Sequence, residues 1–319
     1  MNSSELMRIA GAMVAKGKGI LAADESGGTI KKRFDGIKLE STEEHRRSYR
    51  EMLFTAPGAA ESVSGVILYD ETIRQKTRDG TPFPQYLAKQ GILPGIKVDL
   101  GAKPLAGFSG ETITEGLDGL RERLSEYRGL GARFAKWRAV IDIADGIPSA
   151  FAVKANAHAL ARYAALCQEN DIVPIVEPEV LMDGAHSIER CEQVTETVLA
   201  SVFRELFEHR VMLEGMVLKP NMVISGKKAA SRAPPQAVAE APLAPAAGGP
   251  QGPRSRAGSV AARHRRVRPQ SRRRDRSGTA ARSIAAPSPV APSRDAGNAT
   301  ARSRGTGVAH CDSDSHPDQ

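Results

Sequence analysis

The chain has 319 residues, enough for one large α/β barrel or two ordinary domains, and its net charge of +8 is unevenly placed. From Ala241 to Gln319 there are 14 Arg, five Asp and no Lys or Glu, whereas the 31 Lys+Arg and 32 Asp+Glu of residues 1–240 nearly cancel. The sequence holds no apolar run long enough to cross a membrane, and its three cysteines, an odd number without CxxC spacing, exclude a disulfide framework and suit a reducing, cytoplasmic compartment.

The N-terminal stretch MNSSELMRIAGAMVAKG is amphipathic and lacks the pattern of a signal peptide. Within it, Met7–Val14 is predicted as a short helix. GILAAD (19–24) is a first apolar run ending in a carboxylate, and the polar ESGGTIKKRF after it opens a helix. Thr42–Thr55 reads as a helix with Ser41 or Thr42 as N-cap and Glu43 and Glu44 in its first turn. VSGVILYD (63–70) is the second apolar run, and GILPGIKVD (91–99), carrying Lys97 and Asp99, is the third. A helix over Glu115–Tyr127 leads to ARFAKWRAV (132–140), which carries Lys136 and Arg138. Ser149–Asn170 is a long helix with Pro148 at its start. DIVPIVEPEVL (171–181) carries Glu177 and Glu179, Ser187–His209 is a further helix, and GMVLKPNMV (215–223) carries Lys219.

Short apolar strands alternating with long helices predict a parallel sheet wrapped by helices. Strands that each end in a charged group predict, more narrowly, a (β/α) barrel whose site collects side chains from the C-terminal strand ends. Six such units are visible, where a closed barrel of this type has eight. Alternation places Lys136 and Arg138 on one face of a strand and Glu177 and Glu179 on one face of another. Charged groups on buried strands are costly unless paired or used. A single strand lysine is more often a structural ion pair than a nucleophile, but Asp24, Lys97, Lys136, Arg138, Glu177, Glu179 and Lys219 converge. A lysine beside another cation has a lowered pKa, and its neutral amine attacks ketones to form an imine. Carboxylates then move the protons, and spare cations bind phosphate. The residues alone therefore point to an imine-forming or phosphate-binding barrel enzyme.

The segments LAADESGGTIKKR (21–33), GIKVD (95–99), SGETITEGLDGLRERLSEYRGLG (109–131), FAKWR (134–138), PIVEPEVL (174–181) and LEGMVLKPNMV (213–223) resemble, in order and spacing, those of class I (Schiff-base) fructose-bisphosphate aldolases. The resemblance runs from about Ser4 to about Leu243. It implies a TIM (β/α)8 barrel fold, here incomplete, and the reversible cleavage of fructose 1,6-bisphosphate to dihydroxyacetone phosphate and glyceraldehyde 3-phosphate in glycolysis and gluconeogenesis. It implies a covalent Schiff base on Lys219, with no cofactor and no metal, and a cytoplasmic homotetramer. By the same resemblance Lys136 lowers the pKa of Lys219, Glu177 is the acid/base, Glu179 supports Lys219 and Lys136, and Asp24 assists carbon–carbon cleavage. Lys97 and Arg138 lie around one substrate phosphate, and Ser26 and Arg33 touch the other end of the sugar. No HxxxH or paired His/Cys spacing suggests a zinc site; His45, His158, His186 and His209 read as surface residues.

Residues 244–319 depart from the family's pattern of two further strand–helix units after Lys219. They are rich in Arg, Pro, Ala, Ser and Gly, and from Ala241 onward there is no Phe, Tyr, Trp or Met, so a disordered tail is predicted. Two other readings stay open. One is a catalytically dead remnant, produced by truncation or by a reading-frame shift in a GC-rich message; an incomplete barrel exposes strand edges and predicts poor solubility and little turnover. The other is nonspecific nucleic-acid binding by RHRRVRPQSRRRDR (263–276), disfavoured by the absence of interleaved aromatics.

Overall fold

A computed structural model describes residues 1–241; the tail over 244–319, with its basic tract and Cys311, lies outside the described residues. In chain order the elements are α1 (Ser3–Met13), β1 (Gly19–Ala23), α2 (Gly27–Asp35), α3 (Glu43–Phe54), α4 (Ala59–Ser62), β2 (Val63–Leu68), α5 (Asp70–Arg74), α6 (Phe83–Lys89), β3 (Leu93–Lys97), β4 (Ala102–Pro104) and β5 (Thr112–Thr114). They continue with α7 (Leu120–Leu130), β6 (Phe134–Ile141), α8 (Ala150–Glu169), β7 (Val173–Val180), α9 (Ile188–Glu208), a 3-10 turn (Leu213–Gly215), β8 (Val217–Leu218) and α10 (Pro235–Glu240).

The six predicted strands form one parallel sheet in the order β1-β2-β3-β6-β7-β8. Sequential order with helical crossovers curls such a sheet into a barrel wall. The described residues make a half-barrel, in which β1 and β8 each pair along one side only. Of the two cap candidates, Thr42 is the one used, its Oγ1 accepting from His45 N at 3.1 Å; Ser149 Oγ likewise accepts from Ala152 N at 3.1 Å and Ser187 Oγ from Arg190 N at 3.3 Å.

Three stretches differ from expectation. Helix α1 starts at Ser3 rather than Met7 because the Asn2 side chain caps it, accepting from Glu5 N at 3.2 Å. Helix α7 starts at Leu120 rather than Glu115 because Gly116 and Gly119 hold positive φ and the residues before them pair in the antiparallel β4–β5 hairpin. Between β2 and β3 the chain forms the short helices α5 and α6, where no helix is expected from the sequence.

Strand alternation divides the core into two shells. The outward-facing Leu68, Val66, Ile96, Ala135, Trp137, Ala139 and Val176 pack under the helices with Leu124, Leu160, Tyr163, Val198 and Val202. On the inner face, Ile67, Phe134, Val173 and Ile175 meet Leu6, Ile9, Ala10 and Met13 of α1, which closes the end where the strands begin. The Phe134 ring occupies the space where side chains on two neighbouring strands would sit; a Cβ built on Gly95 would come within 2.2 Å of it, and one on Gly65 within 2.9 Å.

Candidate active site

One step further along the same strands, the inner face changes from apolar to charged. Asp24 follows β1, Lys97 ends β3, Lys136 and Arg138 lie on β6, Glu177 and Glu179 on β7, and Lys219 follows β8. The register sets Lys97 directly opposite Lys136, and Arg138 opposite Glu177. Period-two alternation thus brings these seven side chains to one end of the half-barrel, the end away from α1.

Glu177 organises the centre. Its side chain is only 3% exposed, and its Oε1 accepts from Lys219 Nζ. Its Oε2 lies 3.4 Å from Lys136 Nζ, and among the described residues it accepts no hydrogen bond. Lys136 also donates to Asp24 Oδ2 at 3.0 Å. Burial works to lower the Lys136 pKa, but the charges of Asp24 and Glu177 and the hydrogen bond to Asp24 outweigh it, so the pKa is raised and Lys136 stays a cation. Lys219 is different: its side chain is 53% exposed, open to an incoming molecule on one side and held by Glu177 on the other. The backbone fixes its root, since Lys219 N donates to Val176 O at 2.9 Å. Asn221 anchors the segment beyond, its Oδ1 accepting from Val180 N at 3.3 Å and its Nδ2 donating to Thr195 Oγ1 at 3.0 Å.

The remaining candidates occupy the rim. Glu179 faces Arg138, whose Nε donates to it, rather than Lys136 or Lys219. Burial works to lower the Arg138 pKa, but the hydrogen bond and charge of Glu179 raise it on balance. Lys97 Nζ donates to Asp99 Oδ1 at 2.6 Å and to Asp99 O at 2.9 Å, and Asp99 Oδ2 accepts from Arg138 N at 3.3 Å. Asp99 is buried and ties β3 to β6, a linking role that sequence reasoning leaves unassigned.

Among the described residues, the side chains of Ser26 and Arg33 bond none of Lys136, Glu177 and Lys219. Ser26 is the N-cap residue of α2, its Oγ 3.2 Å from Thr29 Oγ1, and Arg33 donates to Glu25. Glu25 also pairs with Arg50, 2.9 Å away and 2% exposed on α3. Arg50 escapes sequence reasoning because nothing marks one arginine of the RRSYR stretch as the buried one. Glu25, Gly27, Lys31, Arg46, Arg50 and Glu71 line much of an open cavity of about 420 Å³; Lys136, Glu177 and Lys219 do not border it.

Comparison with known proteins places this geometry in context. The family described as Glycolytic: Fructose-bisphosphate aldolase class-I matches residues 5–245. The chain is 62% identical over 240 residues to a probable fructose-bisphosphate aldolase class 1 of Xanthomonas campestris, covering 75% of this chain and 72% of that protein. It is 56% identical over 232 residues to the cytosolic fructose-bisphosphate aldolase 6 of Arabidopsis thaliana, covering 73% and 65%. Among solved structures it is similar to the Plasmodium falciparum aldolase complexed with TRAP and a small-molecule inhibitor, with TM-score 0.73 and 51% identity over 74% of this chain and 69% of that one.

Proposed function

The chain belongs to the class I fructose-bisphosphate aldolases, and we propose that within that chemistry Lys219 is the imine-forming nucleophile and Glu177 its proton carrier. The observation that supports this is the placement of Glu177: one buried carboxylate between an exposed lysine and a buried cationic one, with Oε2 free of hydrogen bonds among the described residues. In its neutral form, the Lys219 amine adds to the C2 ketone of fructose 1,6-bisphosphate. Glu177 in its acid form gives a proton to the carbinolamine hydroxyl, which leaves as water, and the nitrogen lone pair forms the protonated imine. The C3–C4 bond then breaks with its electron pair drawn toward the iminium. The C4 hydroxyl proton passes to a carboxylate, a role assigned to Asp24, and glyceraldehyde 3-phosphate departs. Protonation of C3 and hydrolysis release dihydroxyacetone phosphate. Lys136, kept charged by Asp24 and Glu177, favours the neutral form of a neighbouring amine.

Phosphate recognition by Lys97, Arg138, Ser26 and Arg33 belongs to the same proposal. Lys97 and Arg138 now hold Asp99 and Glu179, so a substrate phosphate would share or replace those partners. Glu179 then acts through Arg138. Among the described residues no helix is long and apolar enough to cross a membrane. The plant relatives named cytosolic support a cytoplasmic location, and assembly as a homotetramer is the form the family suggests. Neither the remnant reading nor nucleic-acid binding by the tail gains support from the relatives.

The test is borohydride trapping with dihydroxyacetone phosphate on the purified 319-residue chain, followed by mass mapping of the modified residue. A reduced adduct on Lys219 is expected. An adduct on Lys136 or Lys97 instead, or none in monodisperse protein, overturns the assignment.

A further inference from the structure

Outside the half-barrel interior, the α8–α9 interface carries a second cluster of donor groups. His158 lies midway along α8, Glu205 in the last turn of α9, and His209 at that helix's C-cap, four residues after Glu205 and on the same face. Glu205 is buried, 7% exposed. Its Oε2 lies 3.0 Å from His158 Nδ1 and 3.7 Å from His209 Nδ1, and the two imidazole centroids are 4.9 Å apart. Each residue offers one ligand atom, all within 4.8 Å of one another.

We propose that His158, Glu205 and His209 form a site for a divalent cation of the zinc type, bound by two imidazoles and one carboxylate with water completing the shell. Ligands about 2.0–2.1 Å from a tetrahedral ion lie roughly 3.3 Å apart, a value that the two Glu205–imidazole distances bracket. Two imidazoles and a carboxylate suit zinc and its neighbours better than magnesium or calcium, which take all-oxygen shells. His158 is half exposed, so an ion has a path in from solvent. Binding replaces the present contacts between His158 Nδ1 and Glu205 Oε2 and between His209 Nδ1 and Glu205 O, the latter 2.8 Å apart. The ion would staple the end of α9 to α8. It plays no part in imine chemistry, because the cluster lies in the outer helical layer and α9 ends near the start of β8, before the chain reaches Lys219.

The probe is zinc chloride, titrated by chelator competition into the untagged full-length chain and into His158→Asn, His209→Asn and the double variant His264→Asn/His310→Asn. One equivalent is expected in the parent, with affinity falling at least about tenfold in His158→Asn and in His209→Asn and unchanged in the tail double variant. Zinc is also expected to raise the melting temperature of the parent but not of His158→Asn. His158 is exposed enough for that variant to fold. Zinc binding that is absent, or that survives both helix substitutions, overturns the site.

Discussion

The inner face of the half-barrel is built in two layers from the same strands. At the end where the strands begin, Phe134, Val173, Ile175 and Ile67 are closed off by α1, and the glycines at 65 and 95 leave room for the Phe134 ring. Two to four residues further along, the same inward positions carry Lys136 and Arg138 on β6, and Glu177 and Glu179 on β7. The fold is indifferent to which layer a residue occupies, since pleat and register are continuous. What differs is how each layer answers for its burial. The lower layer answers with close packing, and the upper one with mutual neutralisation of charges that each alone would be expensive to bury.

If that division holds, a substitution in the upper layer changes rate more than stability, and one in the lower layer does the reverse. The largest effect is expected for Glu177→Gln, which removes the charge between the two lysines and the group proposed to carry protons. A kcat for fructose 1,6-bisphosphate cleavage reduced roughly 10²–10⁴-fold, with little change in thermal unfolding because Lys136 keeps Asp24, is the expected outcome. A variant as fast as its parent would remove Glu177 from proton transfer and leave it a structural counter-ion.

Phe134→Ala sharpens the comparison from the other side. The ring is fully buried beneath the charged layer, and its loss next to two glycines leaves a cavity that backbone alone lines on two strands. Destabilisation of about 3–5 kcal/mol is expected in chemical denaturation, while the folded fraction still forms the borohydride-trapped adduct. Loss of the adduct at unchanged stability would show that the two layers are not separable.

Much of this arrangement was legible in the sequence because it depends on period two and on caps. Six apolar runs gave six strands, Thr42 capped its helix, and the charged residues at alternate positions met on one face. The rest was hidden for physical reasons. Each strand of the β4–β5 hairpin is three residues long, and β4, Ala102–Pro104, is exposed throughout, so no alternation marks it. Alternation places Glu179 on the inner face but does not say which cation it meets; the register sets Arg138 opposite Glu177, yet Arg138 pairs with Glu179 while Lys136 and Lys219 go to Glu177. Likewise His158 and Glu205 stand 47 residues apart, so no spacing rule joins them, although the ExxxH step from Glu205 to His209 was present in the sequence.

The smallest expected effect appears only at alkaline pH, and it decides which lysine is which. Burial would lower the pKa of Lys136, but Asp24 and Glu177 win and raise it above the ordinary lysine value of 10.5. A group whose folded pKa is raised contributes stability that is fully present below its unfolded pKa and is lost as pH rises through the folded value. The stability difference between the parent and Lys136→Met should therefore be level through neutral pH and shrink above 10.5, which denaturation at about pH 8 and about pH 11 would show. A difference that instead grows with pH would mean a depressed pKa, the mark of an amine poised to be neutral. Lys136 would then be the candidate nucleophile and Lys219 its exposed neighbour, and the roles given to the two lysines would have to be exchanged.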